Sequence, residues 1–141
     1  MMEITYAEFL KHMNSLSFNN STVEDQNYSL KDVVEEDKIL FFYPKNFLFK
    51  EKTIKDAELF LFEKNRIRVI NFLEDGYISI TNRNLSTITK VQLKHKNRKS
   101  TSLTLFFNDD SEYVFDSQND SSNYNFKLQT VILNIYKQLQ Q

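Results

Sequence analysis

The chain contains no cysteine, a single glycine, a single proline and two histidines among its 141 residues. The lack of cysteine excludes disulfides, thiolate zinc sites and cysteine nucleophiles together. One glycine is too few for a glycine-rich phosphate loop or a dinucleotide fingerprint. Two histidines rule against a multi-histidine metal site within one chain. No apolar run reaches the roughly 18 residues that a membrane-spanning helix needs. The opening Met1-Met2-Glu3-Ile4-Thr5 is acidic and has no apolar signal core, so the chain is expected to be cytoplasmic. Excess charge of one sign is missing too. There are 18 basic and 19 acidic residues, a net charge of −1, and no bulk polyanion binding is implied.

What is present suits one folded domain. Hydrophobic residues make up 40% and charged residues 26%, the mix of a globular chain and not of a disordered one. The length leaves little room for a second core. Asn, Lys, Ile and Phe are favoured over Ala and Gly, as an AT-rich genome encodes, which points to a low-GC bacterium or its phage.

Thr5-Tyr6-Ala7-Glu8 is a capping box, and Ile4 with Phe9 forms a hydrophobic staple across it. Tyr6, Phe9, Leu10, Met13 and Leu16 follow on one face, so a helix is predicted over 5–16. Residues 17–28 are rich in Ser, Asn and acid and read as a loop. A second cap at Ser29-Leu30-Lys31-Asp32 predicts a short helix to about Glu36. Its acidic end, Glu35-Glu36-Asp37, opposes the helix dipole.

From Lys38 the texture changes to short apolar runs rich in β-branched and aromatic residues. Strands are predicted near 38–43, 46–50, 57–63, 66–72, 77–82, 88–96, 102–108 and 111–117, the first two forming one strand interrupted at Pro44. Glu63-Lys64-Asn65, Glu74-Asp75-Gly76 and Asn108-Asp109-Asp110-Ser111 are tight turns between them, which makes an antiparallel meander. The last segment differs. Leu128, Val131, Ile132, Ile135 and Leu139 recur at helical spacing after the cap candidates Asp120 to Asn123, so a helix is predicted over 122–139. Its apolar stripe needs the sheet as a partner.

Three stretches carry a resemblance: Leu85 to His95, Ser102 to Asp110, and Glu112-Tyr113-Val114-Phe115. They resemble the latter half of bacterial pleckstrin-homology-like and GRAM-like domains, and Lys38 to Phe42 and Ala57 to Arg68 are similar to their opening strands. The likeness covers about 38–141 and rests on strand order and spacing. The chain as a whole also resembles small Bacillus-type (Firmicutes) proteins of unassigned function. The resemblance implies an α+β fold: a PH-like antiparallel β-barrel of about seven strands, closed by a C-terminal α-helix. Residues 1–37 would form an N-terminal helical segment packed on a barrel domain of 38–141. It also implies a binding scaffold and not a catalyst. The lysines Lys50, Lys52 and Lys55 are a faint echo of the lipid-binding pattern of such domains.

The charge is segregated along the chain. Residues 1–60 carry 7 basic and 11 acidic groups, residues 61–100 carry 9 and 3, and residues 101–141 carry 2 and 5. On a strand over 88–96, Val91, Leu93 and His95 share one face, while Lys90, Gln92, Lys94 and Lys96 share the other. Asn97-Arg98-Lys99-Ser100 continues the charge. Such a surface suits a phosphate-bearing ligand, an acidic protein or a membrane headgroup; its plain alternative is a solvated face that guards a sheet edge. The candidate ligand-binding residues are therefore Lys94, Lys96, Arg98 and Lys99, with Arg66 and Arg68 as lesser candidates.

No catalytic residue, metal ligand or cofactor is expected. Asp109, Asp110 and Glu112 do not have calcium-loop spacing and are explained by turn chemistry. His12 and His95 have no local carboxylate or nucleophile of the triad kind. The dense aromatics Phe41, Phe42, Tyr43, Phe47 and Phe49 must face both sides of a strand, so residues 5–36 are expected to cover one side; a dimer contact would be the alternative. The expected function is a non-enzymatic intracellular interaction module. Its partner is expected to be another protein, with an anionic membrane surface or a second copy of the chain as alternatives and nucleic acid disfavoured. The competing reading is a small inhibitor or immunity-type protein that neutralises a partner.

Overall fold

The computed structural model describes residues 4–47, 53–121 and 124–140. Helix α1 spans Tyr6–Ser17 and begins on the expected capping box. The Glu8 N–H donates to Thr5 Oγ1 at 3.1 Å, and the Thr5 N–H donates to Glu8 Oε1 at 3.3 Å. Tyr6, Phe9 and Met13 are its buried face, and Leu16 at the far end is exposed.

The stretch expected to be a loop is a helix. Helix α2 covers Ser21–Val33, and its cap is Asn20, not Ser29. Asn20 Oδ1 accepts from the Val23 N–H at 3.1 Å. The buried face of α2 is Val23, Gln26, Asn27 and Leu30. The helical period is present, but two of its four inward positions are amides and not apolar side chains. Their amide nitrogens are bonded, Gln26 Nε2 to the Leu73 and Tyr77 carbonyls and Asn27 Nδ2 to Asn14 Oδ1, while Gln26 Oε1 and Asn27 Oδ1 are buried without a partner among the described residues. The acidic run does not end this helix. It forms a separate 3₁₀ turn, Glu36–Lys38, in which Lys38 pairs with Glu35 at 2.9 Å.

Seven strands follow among the described residues: β1 (Phe41–Lys45), β2 (Glu58–Phe62), β3 (Arg66–Phe72), β4 (Ile78–Asn84), β5 (Ile88–Lys96), β6 (Ser100–Phe107) and β7 (Glu112–Asp116). All neighbouring pairs are antiparallel. They make two sheets, β1-β2-β3-β4 and β5-β6-β7. Among the described residues no ladder joins the sheets, so the strands do not close into a hydrogen-bonded barrel. A 3₁₀ turn at Leu85–Thr87 separates β4 from β5. Pro44 sits inside β1 opposite Leu59, which an edge strand allows because its outer N–H need not serve a ladder. Of the expected strand at 46–50, Asn46 and Phe47 lie in a turn, and the rest, with Phe49, Lys50 and Lys52, lies outside the described residues.

Side-chain alternation places the layers. Phe42 and Tyr43 are consecutive and both buried, so they point to opposite faces of the first sheet. Phe42 meets Tyr6 and Phe9 of α1 at ring separations of 5.5 and 5.8 Å. Tyr43 meets Phe115 of β7 at 4.8 Å. The first sheet thus lies between the N-terminal helices and the second sheet. Helix α3 (Asn125–Leu139) packs on β1, β6 and β7 with Leu128, Val131, Ile132 and Ile135 buried, as its stripe predicts. Burying each of these is worth about 1.5–3 kcal/mol before chain entropy is charged. The cap candidates Ser122 and Asn123 lie outside the described residues; the N-cap position is Tyr124.

Candidate functional site

The β5–β6 hairpin carries the basic cluster. Lys96 pairs with Ser100, and Asn97, Arg98 and Lys99 form the loop between them. Asn97 has φ 54°, a left-handed conformation that asparagine tolerates better than most residues, and the Lys99 N–H closes the turn onto the Lys96 carbonyl at 3.0 Å. The tip is tied down from the side, where the Gln118 amide donates to the Lys99 carbonyl. Lys94, Lys96, Arg98 and Lys99 are all exposed, and none forms an ion pair among the described residues. Lys94 and Lys96 are two positions apart on one face, roughly 6.6 Å at the usual strand rise. At that separation their repulsion is about 0.6 kcal/mol in water. An anion placed between them removes that cost.

A groove runs between this hairpin and α3. Its volume is about 810 Å³. His95, Asn97, Arg98 and Lys99 line one side, and Phe126, Gln129, Thr130 and Leu133 line the other. The helix residues are spaced i, i+3, i+4 and i+7, one continuous face. Phe126 is 56% exposed, so an aromatic ring faces solvent at one end of that face.

The floor is a bonded polar network. Gln129 is buried at 8% exposure, and its Nε2 donates to the Asn97 carbonyl at 3.0 Å and to Thr101 Oγ1 at 2.8 Å. The carbonyl can only accept, which fixes the amide's orientation. Gln129 Oε1 is therefore turned away from both and carries no hydrogen bond among the described residues. Thr101 is fully buried; its hydroxyl also meets His95 Nδ1 at 2.8 Å, and its N–H donates to Ser117 Oγ at 3.1 Å. His12, the other histidine, packs its ring on Phe47 at 5.4 Å.

Arg66 and Arg68 do not join this cluster. They lie on β3, and neither lines the groove. Arg66 Nε donates to Glu63 Oε1 at 2.6 Å. Arg68 is buried, donates to the Val33 carbonyl at 3.0 Å and lies 4.0 Å from Glu63 Oε2. Their charge balances a buried carboxylate and ties the end of α2 to the sheet.

Two carboxylates shape the surroundings. Asp120, nearly buried, accepts from Tyr43 Oη at 2.6 Å and from the Asp116 N–H at 2.8 Å. Burial raises its pKa above the usual carboxylate value, against the pull of those two donors. Burial, with the Asp120 charge beside it, holds the Tyr43 hydroxyl well above its usual value. Asp109 is the opposite case. The Ser111 hydroxyl and N–H, followed by Arg83 at 3.1 Å, pull its pKa down to about 2. That is turn and seam chemistry between the two sheets, since Arg83 of β4 also donates to Tyr113 Oη of β7 at 2.9 Å.

The four cations singled out in the sequence lie together on one hairpin, and the α3 residues that face them across the groove were not among the sequence candidates. Gln129 was the available signal: a polar residue next to Leu128 in the inward stripe of α3. No curated protein and no solved structure matches the chain. A family profile matches residues 5–130, from the start of α1 into α3, and the chain belongs to that family, described as Protein of unknown function (DUF3908).

Proposed function

We propose that this protein is a non-enzymatic intracellular binding module that holds an anionic partner at the β5–β6 hairpin. The supporting observation is the state of its cations. Lys94, Lys96, Arg98 and Lys99 are adjacent on one hairpin and have no acid within ion-pair distance among the described residues; of the other described lysines without an ion pair, Lys90 lies on the same strand and Lys11, Lys31, Lys55, Lys64 and Lys137 are spread over separate parts of the fold. A cluster left uncompensated beside a groove is an electrostatic address for a negative group. The order of elements favours a pleckstrin-homology-like scaffold: four antiparallel strands, three antiparallel strands, then a helix packed on both sheets. A scaffold of that kind presents surfaces, and its function lies in the surface it presents.

The experiment is a titration with fluorescein-labelled poly-glutamate at several salt concentrations. Binding is expected to weaken steeply with salt, and the double variant Lys96→Glu, Arg98→Glu is expected to lose at least about tenfold in affinity. Equal affinity of wild type and variant would remove the proposal.

A further inference from the structure

We infer that the groove between the β5–β6 hairpin and α3 takes an extended acidic peptide segment bearing one apolar side chain, a reading that rests on the anion site proposed above. Three features of the groove differ in chemistry, and one ligand class satisfies all three. The rim is cationic, with Arg98 and Lys99 lining it and Lys94 and Lys96 leading to it along β5. The helix wall is apolar at Phe126 and Leu133, nearly two turns apart on the same face. The floor offers an acceptor, Gln129 Oε1, whose amide nitrogen is already committed to Asn97 and Thr101.

A bare inorganic anion uses only the first feature. It brings no apolar group to Phe126. A lipid headgroup brings charge, but its acyl chains stay in the bilayer, and a recessed amide floor lies away from a flat surface. A peptide carries all three groups along one chain: acidic side chains for the rim, an apolar side chain for Phe126 and Leu133, and a backbone N–H for Gln129. A groove of about 810 Å³ is within the volume range of ligand sites. Charge complementarity selects an acidic sequence, because among the described residues no acid lines the groove.

The test compares two short labelled peptides of equal negative charge by fluorescence anisotropy. One is entirely acidic; the other has a central phenylalanine flanked by the same acids. The second is expected to bind about tenfold tighter, the scale of one well-placed apolar anchor. The exposed position Phe126 permits a variant with little risk to folding, and Phe126→Ser is expected to abolish that difference while leaving the salt-dependent remainder. N-methylation of the backbone amide at the phenylalanine is expected to cost a further several-fold. If the two peptides bind equally and Phe126→Ser changes nothing, while Lys96→Glu, Arg98→Glu still weakens both, the peptide inference falls and the anion site stands. If no anionic probe binds, both fall. Binding of anionic-lipid vesicles or inorganic phosphate with no binding of either peptide overturns the inference. So does self-association of the wild type that Phe126→Ser abolishes, since the occupant would then be a second copy of the chain.

Discussion

Asp120 and Asp109 make opposite contributions to the dependence of stability on pH, and the reason is where each gets its partners. Asp120 is buried with two donors, and its folded pKa is raised mainly by burial. The folded state therefore holds that proton more tightly than the unfolded chain. Stability falls as pH rises from the ordinary carboxylate value of 3.8 through the folded value. Asp120→Asn is expected to flatten this decline, so that the variant gains on wild type between acid and neutral pH in urea titrations. Asp109 is depressed to about 2 from 3.8, so its contribution is full above 3.8 and is lost as pH falls toward 2. Asp109→Asn should remove that acid-side loss. Tyr43→Phe is the sharper residue-level probe. It deletes the 2.6 Å bond to a buried carboxylate and leaves that charge one donor short. A loss of about 1.5–3 kcal/mol is expected at neutral pH, and less at acid pH where Asp120 is protonated. Equal losses at both pH values would show that the bond does not depend on the charge.

At the scale of elements, the meander was readable because each strand alternates cleanly and each turn holds its own turn residues; Leu103, Leu105 and Phe107 are all buried, as their spacing demands. Helix α2 was not readable. Its inward face is half amide, and apolar periodicity cannot see a Gln whose partners are the carbonyls of Leu73 and Tyr77, nearly fifty residues away. Asn20 looked like loop because Asn is common in loops, yet it holds the N–H of Val23. Asn20→Ala is expected to cost about 1 kcal/mol in chemical denaturation, the usual value of an N-cap, whereas Ser29→Ala should cost far less because Ser29 lies inside the helix. The candidate site was half visible for a related reason. Charge on a hairpin is local and shows in sequence. The wall it faces comes from α3, and only the fold brings Phe126 and Gln129 to Arg98. Arg66 and Arg68 stand apart from the hairpin, and a count of basic residues cannot see that Glu63 already pairs with them.

The whole molecule is a stack in which the first sheet is covered on both sides. Phe9 of α1 reaches Phe42, Phe47 and Phe72 with ring separations between 4.8 and 6.2 Å. On the far side, Phe115 reaches Tyr43, Phe60 and Phe62. The two aromatic clusters share the strand β1, through the consecutive residues Phe42 and Tyr43, so strain or loss in one is passed to the other through a common backbone. This predicts one cooperative unit and not a barrel with a detachable helical lid. Phe9→Ala should cost about 3–5 kcal/mol, the range for an aromatic truncated in a closed core. The decisive reading is where that cost appears. In native-state hydrogen exchange, the amides of Leu103 and Leu105 in β6, remote from α1, are expected to lose as much protection as the amides of α1 itself. If the β6 amides keep their protection while those of α1 and α2 lose it, the N-terminal helices open independently. The first sheet would then be stable without them, and Phe42, Phe47 and Phe72 would be an interface in waiting and not a core.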